Sequence, residues 1–211
     1  MENNCRIIVY AKAPVPGQVK TRLSPALDAE SAALLQAALV ERALMIARDS
    51  GLGQGELCCA PDTTHSFFQE CAEDFEVTLT GQGEGGLGVR MLGSLERALQ
   101  SHDAAIIIGA DCPALTGSHI ARAARALAEH DVVLTPADDG GYVLIGARRI
   151  DAAMFDGIEW GAPTVLDQQR RQLRASGLSW HEMETLWDVD RPEDLPRLRN
   201  LKPALEFFWP T

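Results

Sequence analysis

The sequence predicts an α/β protein in which helices cover both faces of a mixed, mostly parallel sheet, a three-layer Rossmann-like arrangement. Three observations lead there. Short apolar runs rich in Val and Ile alternate with longer amphipathic stretches from Arg6 to Arg199. The connections between them are short. The run Ala104–Ala110 (AAIIIGA) has no polar side chain, as expected of a strand covered on both faces. The 211 residues and 46% hydrophobic content suit one domain over residues 1–211, with a core large enough to sustain it.

The elements follow in order. Arg6–Ala11 (RIIVYA) is short and β-branched, which predicts a buried strand. Lys12–Pro25 holds Pro14, Pro16, Gly17 and Pro25, so it forms no regular helix. A long helix comes next, with Asp28 as N-cap and Gly51 beyond its end; Leu35, Leu39, Ala43 and Ile46 share one face. Gly55–Ala60 and Phe75–Thr80 read as strands with a short helix between them. Gly81–Gly88 contains five glycines, and a helix over Leu87–Gln100 follows. After the apolar strand, Ser118–Glu129 is helical, with Thr116 or Gly117 placed to cap it. Asp131–Thr135 and Tyr142–Ala147 are strands with no helix between them, which is why the sheet is expected to be mixed. Ala162–Ala175 reads as helix, Leu178–Met183 as strand, and Pro192–Arg199 as a last helix opening on proline. Trp160, Phe207, Phe208 and Trp209 read as core or edge-covering aromatics.

Composition narrows the function. A formal net charge of −11 excludes a general nucleic-acid binder, because phosphate contacts need surplus Lys and Arg. A phosphorylated small molecule remains possible where local cations or a bound metal oppose the global charge. The five cysteines include no C-x-x-C pair, which argues against a disulfide framework or structural zinc and for reduced thiols in a cytoplasm. No apolar stretch approaches the roughly 18 residues of a membrane span. Met1–Arg6 leads directly into a strand rather than forming a signal peptide. The histidines are scattered without metal-ligand spacing.

In such sheets ligands bind beyond the carboxyl ends of the strands, so the loops there are the candidates. The first strand ends on Ala11, and the loop after it places Lys12, Lys20 and Arg22 around Gly17. These cations could surround an oligophosphate, although the Walker A spacing is absent. The glycine loop offers Gly83 close to a ligand, ahead of a helix carrying Arg90. Gly109–Leu115 puts Asp111 at the end of a buried strand, where a carboxylate can hold a hard cation. Cys112 beside it reads as a buried packing thiol rather than a nucleophile. Pro136–Tyr142 reads equally as a tight turn between two strands and as a loop in which Asp139, Gly140, Gly141 and Tyr142 suit close binding of a sugar or an acceptor. Trp187–Asp194 carries Asp188 and Asp190 on one side of an extended segment. Asp190 reads as the N-cap of the last helix, and a second metal ligand could come from Asp190 or Asp188.

Together the stretches AKAPVPGQVKTRL, QGEGGLGVRM, GADCPAL, PADDGGYVLIG and WDVDRPEDL resemble the rSAM/selenodomain-associated transferases, or glycosyltransferase A-type proteins, of the nucleotide-diphospho-sugar transferase superfamily. The match runs in order from Val9 to Leu195. More distantly, GADCPAL and DVDRPEDL are similar to metal-binding segments of molybdenum cofactor guanylyltransferase, 2-phospholactate guanylyltransferase and the cytidylyltransferases. The resemblance implies the nucleotide-diphospho-sugar transferase (GT-A) fold. It also implies Mg²⁺ or Mn²⁺ held by Asp111 and Asp190, and a triphosphate bound by Gly17, Lys20 and Arg22. Two stretches depart from the family pattern. Gly85–Arg90 has lost both acidic residues of G-D-L-G-E-R, at Gly86 and Val89, and Trp160–Pro163 lacks the serine of W-S-x-P.

The expected activity is nucleotidyl transfer from a nucleoside triphosphate to a small phosphorylated acceptor. Lys20, Arg22 and Asp111 would be the catalytic residues. Ala11, Lys12, Gly17, Gly83 and Arg90 would complete the nucleotide site. One alternative is a glycosyltransferase using a nucleotide-sugar donor, although residue 113 is proline and the D-x-D of such enzymes is absent. Another is a nucleotide-binding protein without turnover. No nucleic-acid or membrane partner is expected.

Overall fold

The computed structural model describes residues 4–53, 55–201, 204, 205 and 207. Its strands are β1 (Cys5–Lys12), β2 (Glu56–Ala60), β3 (Thr78–Gly81), β4 (Ala104–Gly109), β5 (Val132–Pro136), β6 (Tyr142–Ala147) and β7 (Trp180–Glu182). They form one sheet in the order β3-β2-β1-β4-β6-β5-β7. The helices are α1 (Ala29–Asp49), α2 (Ser66–Phe75), α3 (Leu87–Leu99), α4 (Gly117–Ala126), α5 (Val165–Ala175) and α6 (Leu195–Arg199). β6 runs antiparallel to both β4 and β5, while the other pairings are parallel. The expected mixed sheet follows from the short β5–β6 connection, which leaves no room for a crossover helix.

Alternation along β1 creates the layers. Ile7 and Val9 pack with Val40, Leu44, Phe68 and Ile120 on one face, against α1, α2 and α4. Ile8 packs with Met91, Leu95 and Leu173 on the other, against α3 and α5. Each such side chain removed from water contributes about 1.5–3 kcal/mol. A third cluster joins Leu23 and Leu27 to Leu35 and Leu39 of α1, and to Val189 and Leu198 near the end of the chain. It fastens the loop after β1 and the segment after β7 to the same helix.

Close contacts explain two glycines. A Cβ on Gly146 would lie 2.8 Å from the side chains of both Ile106 and Val133. At Gly117, the start of α4 passes so near the end of α1 that a Cβ would lie 2.6 Å from the Asp49 carbonyl carbon. Thr116 caps α4 through its side chain, which accepts from the His119 N–H, and Asp28 caps α1 by accepting from Ser31.

Some boundaries differ from expectation. Phe75 ends α2 instead of opening β3, because Glu76 turns the chain through the left-handed region at φ 52°. α5 begins at Val165 rather than Ala162, and β7 is confined to Trp180–Glu182. α4 ends at Ala126, and Pro192–Asp194 is a 3-10 turn ahead of α6. Trp160 and Phe207 are half-buried, whereas Phe208 and Trp209 lie outside the described residues. No described helix is long and apolar enough to cross a membrane.

Candidate functional site

The carboxyl ends of β1 and β4 lie side by side, with Tyr10 in register with Gly109. The loop after β1 therefore faces the loop after β4. Lys20 adopts the left-handed conformation, φ 51°, at the start of the Thr21–Leu23 turn, and Leu23 is fully buried against α1. This fixes the direction of the Lys20 side chain. Its ammonium donates to Asp111 Oδ1 and, at 2.7 Å, to the Val189 carbonyl. The Lys20 side chain is only 5% exposed while that of Asp111 is 53% exposed, so the pair has one buried and one open end.

The second acidic segment arrives from across the sheet. Leu186 pairs with the end of β5, donating to the Pro136 carbonyl, and Val189 donates to the Asp111 carbonyl at 2.9 Å. The chain between them spans the amino end of β6. With Val189 in the core, Asp188 and Asp190 project into the open space over the strand ends. Asp190 does not cap the last helical segment, whose N-cap is Arg191. Asp194, in its first turn, reaches back to accept from the Asp190 and Arg191 N–H groups at 3.0 and 2.8 Å. The Asp190 carboxylate is left to accept from Arg22 Nη1 at 2.7 Å.

These groups line a cleft of about 620 Å³. Its walls include Ala11, Lys12, Lys20, Arg22, Arg90, Asp111, Asp139, Gly141, Tyr142 and Asp190, brought together from six separate segments of the sequence. Gly17, Gly83 and Gly140 are not on the walls. Gly17 and Gly83 have positive φ, 76° and 80°, and shape their loops. Gly140 combines φ 91° with an approach so close that a Cβ would lie 2.1 Å from the Pro163 carbonyl oxygen. It holds the β5–β6 turn against the start of α5, while Asp139 accepts from the Gly141 N–H at 2.8 Å.

The electrostatics are those of crowded carboxylates. Burial, followed by the charges of Asp139 and Asp111, pushes the Asp188 carboxyl up to about 6. Burial pushes the Cys112 thiol up to about 12, so Cys112 is an unreactive packing residue. No group of three His, Cys, Asp or Glu side chains is arranged to hold a metal among the described residues.

Asp188, which the sequence offers beside Asp190, carries the raised carboxyl. Tyr10, Gln82 and Trp160 are wall residues that the sequence reading does not place at the site. Tyr10 lies inside an apolar run that reads only as strand. Its hydroxyl reaches the Arg90 carbonyl and Ser94 Oγ, each at 2.8 Å. Gln82 donates to the carbonyls of Ala11 and Cys58 and accepts from Arg90 Nη1 at 3.2 Å. Trp160, which reads as a core aromatic, packs edge-on against Tyr142 at the mouth.

Residues 26–162, more than half of the chain, match the model of a family described as uncharacterized protein conserved in bacteria (DUF2064). A search of curated proteins finds no match. Among solved structures, the chain is similar to a protein from Desulfovibrio desulfuricans G20, provisionally named a nucleotide-diphospho-sugar transferase. The TM-score is 0.83 at 27% identity, over 93% of this chain and 87% of the other. It shares its fold with a nucleotidyl transferase from Methanothermobacter thermautotroptrophicus (TM-score 0.65, 13% identity, 94% and 97% coverage). It also shares it with CMP:2-keto-3-deoxy-manno-octonic acid synthetase complexed with CTP (TM-score 0.59, 13% identity, 95% and 98% coverage). The fold is that of the nucleotide-diphospho-sugar transferases.

Proposed function

We propose that this chain, which belongs to the DUF2064 family, is a divalent-metal-dependent nucleotidyltransferase that joins a nucleoside triphosphate to a small phosphorylated acceptor. One observation carries the reading: Lys20 bonds to Asp111 and Arg22 to Asp190 across the cleft, at the carboxyl ends of β1 and β4. A triphosphate brings the negative charge that these cations can accept in place of the carboxylates, and the carboxylates are then free for a cation of their own. With Lys12, three basic groups face the phosphates, more than a sugar diphosphate requires. The narrower resemblance to the rSAM/selenodomain-associated transferases belongs to the same proposal.

The donor set fits Mg²⁺ or Mn²⁺. Carboxylate oxygens suit hard ions that keep part of their water shell, and the carboxylates of Asp111, Asp139, Asp188 and Asp190 all line the cleft. Asp111 and Asp190 would hold it, and there it would offset the charge that grows on the reacting phosphate. The protein's own groups do the remaining work. Lys20 and Arg22 bind and orient the phosphate chain. An acceptor phosphate oxygen attacks the α-phosphorus, the bond to the bridging oxygen breaks, and pyrophosphate leaves. The attacking oxygen is already ionised, so no general base is required, in keeping with cleft walls that carry no histidine.

The test supplies nucleoside triphosphates and nucleotide sugars with Mg²⁺ or Mn²⁺ and a panel of phosphorylated acceptors, and identifies the leaving product. Pyrophosphate is expected. Release of nucleoside diphosphate from a nucleotide sugar would replace this reading with glycosyl transfer.

A further inference from the structure

Arg90, which the sequence reading groups with the nucleotide site, stands apart from the other cations of the cleft. Lys20 and Arg22 each have a carboxylate partner, and Lys12 is exposed to solvent. Arg90 is half-buried on the cleft wall and has no carboxylate partner among the described residues. Its Nη1 donates to the neutral Gln82 amide, and its Nε is buried without an acceptor. A guanidinium so placed in a protein of net charge −11 is a charge waiting for a counter-ion. Its position is firm, because the Tyr10 hydroxyl holds the Arg90 carbonyl at 2.8 Å and Tyr10 is in register with Gly109, two residues before Asp111. Arg90 and Asp111 both line the cleft. The surroundings of Arg90 differ from those of the basic loop. Leu87, Met91, Ile107, Ile145, Tyr142 and Trp160 give this part of the cleft an apolar wall.

We infer that Arg90 anchors the anionic group of the acceptor, and that the acceptor is a small organic anion with an apolar body lying against Trp160 and Tyr142. The naming of this ligand as acceptor rests on the nucleotidyltransferase reading; the anion site does not. A full positive charge without a partner calls for an anion, which a neutral nucleobase does not supply. The anions of the triphosphate are already matched by Lys12, Lys20 and Arg22. An apolar wall beside one cation selects an amphiphilic ligand over a bare inorganic ion.

The test is calorimetric titration of the full chain with phenyl phosphate, inorganic phosphate and each ribonucleoside triphosphate with Mg²⁺. It is done on the unmodified protein, Arg90→Gln and Arg90→Lys, with thermal unfolding to establish that the variants are folded. Phenyl phosphate is expected to bind about tenfold more tightly than inorganic phosphate. Arg90→Gln is expected to weaken it by about tenfold or more, and Arg90→Lys to retain part of the affinity. Triphosphate affinity is expected to change by less than about twofold in both variants. The inference is overturned if phenyl phosphate has no advantage over phosphate, or if Arg90→Gln leaves it unchanged. An equal loss for a triphosphate also overturns it and moves Arg90 to the nucleotide. If no triphosphate binds the unmodified protein while the phenyl phosphate result holds, the nucleotidyltransferase reading fails and the anion site stands.

Discussion

β1 carries an ionic cluster at each end, and the two are built on opposite plans. At the amino end, Glu56 of β2 is 5% exposed and accepts from Arg6 Nε at 3.3 Å, from Thr80 Oγ1 at 2.6 Å and from Arg97. Two cations and a hydroxyl surround one carboxylate, so nothing is left to recruit. At the carboxyl end, Asp111, Asp139, Asp188 and Asp190 share a cleft with Lys12, Lys20, Arg22 and Arg90, and only two of the possible ion pairs form. The difference separates an ionic cluster that completes a fold from one that awaits ligands. The first is saturated by its own chain. The second leaves charges of both signs only partly matched, with an acid whose proton affinity is raised by burial and by neighbouring carboxylates and an arginine without a carboxylate partner among the described residues.

The sharpest way to break this contrast is to remove the acid at each end. Glu56→Ala leaves Arg6 and Arg97 facing a buried space and is expected to cost about 3 kcal/mol of stability in chemical denaturation. Nucleotide affinity should stay within about twofold, since the change lies at the far end of the strands. Asp111→Asn is expected to do the reverse. Metal-dependent nucleotide binding should weaken by more than about tenfold, roughly 1.4 kcal/mol, with a smaller change in stability. If the two variants had the same signature, the distinction between the clusters would fail.

A smaller effect separates them by pH. Burial, followed by neighbouring carboxylates, pushes the folded Asp188 carboxyl up to about 6, above its ordinary value of 3.8. Between those values the folded chain holds a proton that the unfolded chain releases. In the presence of a chelator, stability should therefore rise as pH falls from 7 toward 5. Allowing for the solvent contact of Asp188, the gain is about 1 kcal/mol, or about 3 °C in thermal midpoint. Asp188→Asn should raise the midpoint at pH 7 and flatten the slope. The lowered carboxyls, such as Asp131 and Glu182, favour the folded state above their unfolded values and lose that contribution only in stronger acid. A flat profile in the unmodified protein would remove Asp188 from the crowded group.

Much of the fold was legible because its signals are local. The β-branched run at Arg6–Ala11, the polar-free run at Ala104–Ala110 and the Asp28 cap all describe how a segment treats its own neighbours. The candidate site was legible where a loop declares its chemistry by composition, as Lys20 and Arg22 do among prolines, or Asp111 at a strand end. It was less legible where one residue type serves two purposes. Asp190 could cap or bind until Asp194 was seen to satisfy the N–H groups of Asp190 and Arg191. Gly140 could meet a ligand until Pro163 was found against it. Tyr10 and Gln82 gave no sign of their place, because it depends on which helix packs over β1.

The sequence by itself determined the alternation of strands and helices, the mixed sheet and the end of the strands where charged loops gather. Periodicity, capping and turn chemistry act over a few residues and are written into them. The tertiary structure alone decided which charges meet. Lys20 and Val189 are far apart in the chain. They come together because Leu23 and Val189 are buried in the same cluster against α1, leaving Lys20, Asp188 and Asp190 to turn into one cleft beside Asp111. The same packing left Arg90 without an acid among the described residues, a property of the whole arrangement that no short stretch of sequence records.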